Sequence, residues 1–293
     1  MGNTSEDKGK RNVSIGLLAH VDAGKTTLSE ALLYTAGAIR KLGRVDHKDA
    51  FLDTYELERN RGITIFSKQA VMELGDFQVT LLDTPGHVDF SAEMERTLQV
   101  LDYGILVVSG ADGVQGHTQT LWHLLKRYQI PVFLFVNKMD QPGTDRMKLM
   151  EELKKRLDEN CIDFSQIHDE EWQEQIAMCD EELLEQYVEE GTVEEGRIPE
   201  LIWERKLFPC FFGSALKMIG VEEFVRGMQE NMILPAYPGI FGAKVYKIGR
   251  DAQNTRLTYM KITGGSLKVK TVLPGTGQEN QKDGEKNREE KVD

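Results

Sequence analysis

The run Ala19-His20-Val21-Asp22-Ala23-Gly24-Lys25-Thr26-Thr27 places a glycine, a lysine and a hydroxyl at the spacing of a phosphate-binding loop. It follows an apolar stretch, Val13 to Ala19, and precedes helical periodicity from about Gly24 to Ala36, so the loop should pass from a strand into a helix N-terminus. In that position successive backbone N–H groups hold a β-phosphate, Lys25 reaches the β- and γ-phosphates, and the Thr26 hydroxyl takes Mg²⁺. The strict pattern opens with Gly where this chain has Ala19, while Gly24 stays in place. Taken alone, the loop implies a nucleotide without saying which.

Four further segments complete a set. Asp83-Thr84-Pro85-Gly86-His87 closes an apolar strand, which would place Asp83 beside Mg²⁺ through water and the Gly86 N–H near the γ-phosphate. A plain Pro-Gly turn after a strand is the other reading. Asn137-Lys138-Met139-Asp140 names the base: Asp140 accepts from N1–H and the exocyclic amine of guanine, Asn137 ties loops together, and the Lys138 stem covers the ring. Adenine would leave the carboxylate unpaired, and sites built on such pairing reject the wrong partner by about 10⁴-fold or more. Gly213-Ser214-Ala215 should supply a backbone N–H to the guanine oxygen, and Arg61-Gly62-Ile63-Thr64 a second Mg²⁺ hydroxyl at Thr64. Loss of the γ-phosphate would then release the loop from about Arg40 to Thr64.

These loops need a scaffold. Strands fit Val13 to Ala19, Ile65 to Leu74, Phe77 to Leu82, Ile105 to Ser109, Val132 to Val136 and Phe208 to Phe212. Helices fit the intervals near Phe90 to Leu101, Thr118 to Tyr128, Thr144 to Glu159 and Val221 to Met232. The alternation implies an α/β fold, a doubly wound mostly parallel sheet of the P-loop NTPase type, binding ligands beyond the carboxyl ends of its strands.

Charge marks out one segment. The chain carries −12 overall, which argues against binding DNA or other nucleic acid by general phosphate neutralisation. Between Cys161 and Glu204 fifteen acidic residues face one basic residue, Arg197, a balance of −14, so the remainder sits near +2. Trp172, Ile176, Leu183, Leu184, Tyr187 and Val188 recur there at helical spacing, so residues 161–205 read as a helical insertion. A solvated helical face is the plain reading of its charge.

After Leu234-Pro235-Ala236-Tyr237-Pro238-Gly239 the pattern turns to strands at Gly242 to Ile248, Arg256 to Ile262 and Ser266 to Leu273, with Gly264-Gly265 as a hairpin turn. The organisation expected is a disordered tail over 1–11, a nucleotide-binding domain over 12–235, and from 240 to 293 an incomplete all-β barrel domain with a mobile charged tail. No apolar run is long enough for a bilayer, and the polar opening is no secretory signal, so the cytoplasm is the expected address. Cys161, Cys179 and Cys210 lack metal or disulfide spacing and read as buried thiols. His47, His117, His123 and His168 read as surface or structural.

The residues together resemble the translational GTPases, whose order and approximate spacing AHVDAGKTT, RGITI, DTPGH, NKMD and GSAL follow over nearly the whole chain. LLAHVDAGKTTL, GAI followed by LGRVD, LERNRGITI, DGVQ and IPVFLFVNKMDQ look most like the tetracycline ribosomal protection proteins, with elongation factor G a close cousin. The resemblance implies GTP hydrolysis with Mg²⁺ on the ribosome; separately, the chain is expected to be a monomer. His87 would orient the attacking water once ribosomal RNA draws it inward, under an apolar gate of Val21 and Ile63. His20, Asp22, Ala23, Thr27 and Leu216 join the nucleotide contacts, and the acidic insertion would meet a basic ribosomal stalk protein. The family also has a longer barrel and further domains, so the chain reads as a fragment. Two other classes stay in view: a GTP-regulated signalling switch and a metabolic ATPase, the latter disfavoured by Asp140.

Overall fold

The computed structural model describes residues 11–43, 68–84, 91–165, 170–234, 237–250, 253–273 and 290–291. The chain divides into two compact units, Met1–Leu234 and Pro235–Asp293.

The first unit is built on a seven-stranded sheet. Its strands are β1 (Arg11–Ala19), β2 (Lys68–Leu74), β3 (Phe77–Asp83), β4 (Tyr103–Ser109), β5 (Val132–Asn137), β6 (Cys161–Asp163) and β7 (Phe208–Phe212), in the spatial order β2-β3-β1-β4-β5-β7-β6. Only β2 runs antiparallel, paired with β3 in register Leu74 to Phe77; the other neighbours are parallel. The apolar runs are unbroken because both sheet faces are covered. On β4, Tyr103, Ile105 and Val107 point into one core and Leu106 and Val108 into the other; β5 divides the same way at Phe133 and Phe135 against Leu134 and Val136.

Helices fill the two layers. One layer holds α1 (Lys25–Thr35), through Leu28, Ala31, Leu32 and Leu33. The opposite layer holds α2 (Ser91–Leu98), α3 (Gly116–Arg127) and α4 (Arg146–Arg156), with Met94, Leu98, Leu121, Trp122, Leu125, Leu149 and Leu153 buried. Asp145 caps α4, accepting from the N–H groups of Met147 at 3.1 Å and Lys148 at 3.3 Å. The α1 layer is completed by α5 (Glu170–Ala177), α6 (Glu181–Glu190), α7 (Ile198–Trp203) and α8 (Val221–Asn231).

The acidic segment is therefore not all helix. Its first three residues, Cys161–Asp163, form the outermost strand and pair in parallel with β7. Ile162 enters the α1-side core while Cys161 enters the other, so the segment begins inside the sheet. Trp172, Ile176 and Leu183 are buried as the spacing predicts, whereas Leu184 and Val188 lie at the surface. All three cysteines are buried free thiols, and burial pushes Cys179 up to about 12 and Cys210 well above the ordinary thiol range.

In the second unit β8 (Gly242–Arg250) pairs antiparallel with β9 (Arg256–Gly264), with a bulge between Val245 and Lys247. Gly264-Gly265 is not a hairpin turn. Gly264 ends β9, and the Gly265 N–H donates to Pro238 O at 2.9 Å. A Cβ on Gly264 would lie 2.3 Å from Ile240 O, so the paired glycines allow a close approach of backbones. Residues 266–271 form no strand; Val272–Leu273 pair with Glu290–Lys291.

Candidate functional site

The phosphate loop leaves β1 at Ala19, two strands of the sheet flanking it, β3 on one side and β4 on the other. Chain order reverses there, which is where a doubly wound sheet opens a crevice. The Ala23 N–H donates to His20 O at 3.2 Å, and Asp22 and Gly24 both take positive φ, 63° and 91°. That sequence of left-handed residues turns the backbone into the helix, with Gly24 as the residue before α1. A side chain at Gly24 is excluded twice: by its φ and because a Cβ would stand 2.3 Å from Asn137 Nδ2.

Two opposite charges meet beside this loop. Lys25, 8 % exposed, pairs with the fully buried Asp83 at the end of β3. Thr84 anchors that strand end, its hydroxyl donating to Leu17 O at 2.5 Å. Thr26 and Thr27 lie in the first turn of α1, both half-buried. Val21 is half-buried and Asp22 exposed. The His20 ring meets His117 edge-on at 5.8 Å, and its buried Nδ1 has no hydrogen-bond partner among the described residues. Ile63, Thr64, Gly86 and His87 lie outside the described residues, as do His47 and His168.

The base-side loops are joined by one side chain. Asn137, 3 % exposed at the end of β5, donates through Nδ2 to Ala23 O at 3.0 Å and accepts through Oδ1 from the Ala215 N–H at 2.9 Å. Lys138 follows at φ 63°, and the Met139 N–H donates to Gly213 O at 3.0 Å. Asp140 receives the Ser214 hydroxyl and the Lys217 ammonium, and these, in that order, hold its carboxyl below the usual carboxylate range.

The backbone donors expected at residues 213–215 are already engaged. Gly213, Ser214 and Ala215 donate their N–H groups to Val136 O, Ile219 O and Asn137 Oδ1, each at 2.9 Å. A guanine oxygen would have to share the Ala215 N–H with Asn137 or take that of Leu216, because Asn137 competes for the donor. Gly24, Thr27, Asn137, Lys138, Asp140, Ser214 and Leu216 line one cleft. Leu42, Gly43 and Gln141 line it too, though their types carry no signal in the sequence. Lys217 is also unmarked; a lysine near an aspartate in space has no signature along the chain.

The sheet order and the loop-to-helix cradle at the end of β1 define a P-loop GTPase fold. The family model described as the elongation factor Tu GTP binding domain matches residues 10–233, and the chain belongs to that family. It is 35 % identical to the tetracycline resistance protein TetP of Clostridium perfringens and 36 % identical to TetO of Campylobacter jejuni, over 89 % of this chain and 44 % of each relative. TetS of Listeria monocytogenes is 34 % identical over 88 % of this chain and 43 % of its own. A crystal structure from Thermus thermophilus superposes with a TM-score of 0.79 at 26 % identity, over 89 % of this chain and 47 % of that one. The chain thus spans less than half the length of the curated relatives it matches. Among the described residues no helix is long and apolar enough to cross a membrane.

Proposed function

We propose that this chain is the nucleotide-binding and hydrolysing part of a ribosome-acting translation GTPase of the tetracycline ribosomal protection type. The observation that carries the reading is Asn137, whose side chain links the phosphate loop at Ala23 to the base-side loop at Ala215. Such a link supports a reading in which both loops hold one ligand, with phosphates at one end and a guanine at the other.

In this reading the loop N–H groups and Lys25 bind the β- and γ-phosphates, while Asp140 pairs with the guanine edge and Lys138 covers its ring. The hydroxyl of Thr26 and the buried carboxylate of Asp83 offer hard oxygen ligands beside the cradle, a donor set suited to Mg²⁺; Thr64, outside the described residues, is proposed from the sequence as a further hydroxyl ligand. Magnesium, when bound, supplies neutralisation of charge on the phosphate oxygens. Lys25 then leaves Asp83 for phosphate, so the buried ion pair gives each partner a place to wait without uncompensated charge. His87 orients the attacking water, and Val21 with Ile63 excludes bulk solvent from it.

Slow intrinsic turnover is expected, of about 10⁻⁴ s⁻¹, rising by up to about 10⁵-fold with an activating partner. Phosphate release with and without ribosomes tests this, and equal rates would remove the ribosome from the account. The −14 segment is assigned as a docking face for a basic ribosomal stalk protein, and the chain as a monomer. A signalling switch remains the rival; it would show partner capture in the GTP state with no ribosome dependence.

A further inference from the structure

Lys217 stands outside every motif that the sequence marks, yet its ammonium lies 3.1 Å from Asp140 Oδ2. It reaches that point from a loop with little slack. Ser214 and Ile219 exchange backbone hydrogen bonds at 2.9 and 3.0 Å, closing a turn around residues 215–218. Within it the Lys217 N–H donates to Ser214 O at 3.1 Å, and Met218 takes φ 58° to complete the bend. Both ends are packed against backbone: a Cβ on Gly213 would fall 2.1 Å from Ile219 O, and one on Gly220 2.4 Å from Phe212 O. The base of the lysine is thus fixed relative to the end of β5, where Asp140 follows.

A carboxylate offers about four lone-pair sites, and its terminal torsion is soft. The Ser214 hydroxyl and Lys217 ammonium each occupy one of those sites on Asp140. The Asp140 backbone N–H donates to the carboxylate as well, so its rotation is set by protein donors before any base arrives. We propose that Lys217 is a specificity-determining positioning residue, which fixes the rotation of the Asp140 carboxylate so that both guanine donors are met at once. A hypoxanthine base has only the N1–H, so it gains less from a carboxylate held in that plane. Lys217 therefore sets the margin between the two bases, and touches neither. The inference rests on Asp140 as the guanine acceptor.

As an exposed pair, Lys217 with Asp140 adds little to folding. The test measures Kd for GDP and for IDP on the full chain and on Lys217→Met and Lys217→Arg, with thermal melting without nucleotide as a control. The expected result is a GDP preference that falls about 10-fold in Lys217→Met, mostly through weaker GDP binding, and returns in Lys217→Arg, with melting unchanged. An unaltered GDP-to-IDP ratio in Lys217→Met overturns the role of Lys217, as does an equal loss for both nucleotides. Absence of any GDP preference in the unmodified chain overturns instead the guanine reading of Asp140.

Discussion

Asn137 works on three segments at once, and its loss should be felt as disordered loops as much as a missing contact. Asn137→Ala removes the bond to Ala23 O and strips the Ala215 N–H of its acceptor. Each costs about 1–3 kcal/mol when left unsatisfied. GDP affinity should fall by about 10- to 100-fold, read by titration with a fluorescent guanine nucleotide. Gly24→Ala should abolish binding altogether, since the new methyl meets Asn137 Nδ2 and the left-handed φ adds a cost of about 1–2 kcal/mol. Acidity gives a third test. The Asp140 carboxyl is depressed, so its charged form and the base selectivity it confers extend below the ordinary carboxylate value of about 4. Selectivity for GDP over ADP, in which phosphate protonation cancels, should stay flat from neutral pH down to about 5 and vanish only as pH drops through the lowered value. A GDP-to-ADP ratio already falling above that pH would contradict the depressed carboxyl. At this scale the sequence marked Lys25, Asp83 and Asn137 because their chemistry demands one atom type at one chain position, and the structure brings Lys25 and Asp83 into contact and ties Asn137 to the phosphate loop. The sequence was silent on Lys217, whose long side chain reaches a partner that no spacing rule relates to it.

Elements show a different division. Every helix and strand with a long apolar period was legible, because burial on a helix stripe or on both sheet faces leaves a pattern that few other structures share. Strand β6 was not, since three residues carry no period and the acidic helices beside it dominate the composition. Ser266 to Leu273 misled in the other direction: apolar alternation was present, but only Val272 and Leu273 have a strand partner among the described residues. The element that holds Lys25 in place is α1, and Leu32 is fully buried beneath it. Leu32→Ala should cost about 2–5 kcal/mol in urea unfolding through the lost transfer energy and the cavity left behind. A shift below about 1 kcal/mol would mean that α1 is not packed as described.

For the whole molecule, the boundary at Leu234 predicts that the first unit folds alone. A chain ending at Leu234 should bind GDP within about threefold of the full chain and unfold in one cooperative step, measured by titration and by urea with two optical probes. Non-coincident transitions would show that the boundary is misplaced. The charge imbalance of the insertion was readable from composition alone, whereas its anchoring to the sheet edge through Ile162 required the structure.

Besides the packing of Met232 and Leu234 against the core, the end of the first unit is tied to the sheet by the Tyr103 side chain. The buried Tyr103 hydroxyl donates to Ile233 O at 2.8 Å and accepts from the Ile233 N–H at 2.9 Å, and burial keeps it protonated far above its usual range. Tyr103 opens β4, the middle strand of seven. A tug on the chain beyond residue 234 is therefore delivered to the central strand of the sheet as well as to the flank where α8 packs. In optical-trap pulling from that point, Tyr103→Phe should lower the rupture force while leaving the resting affinity for GDP unchanged.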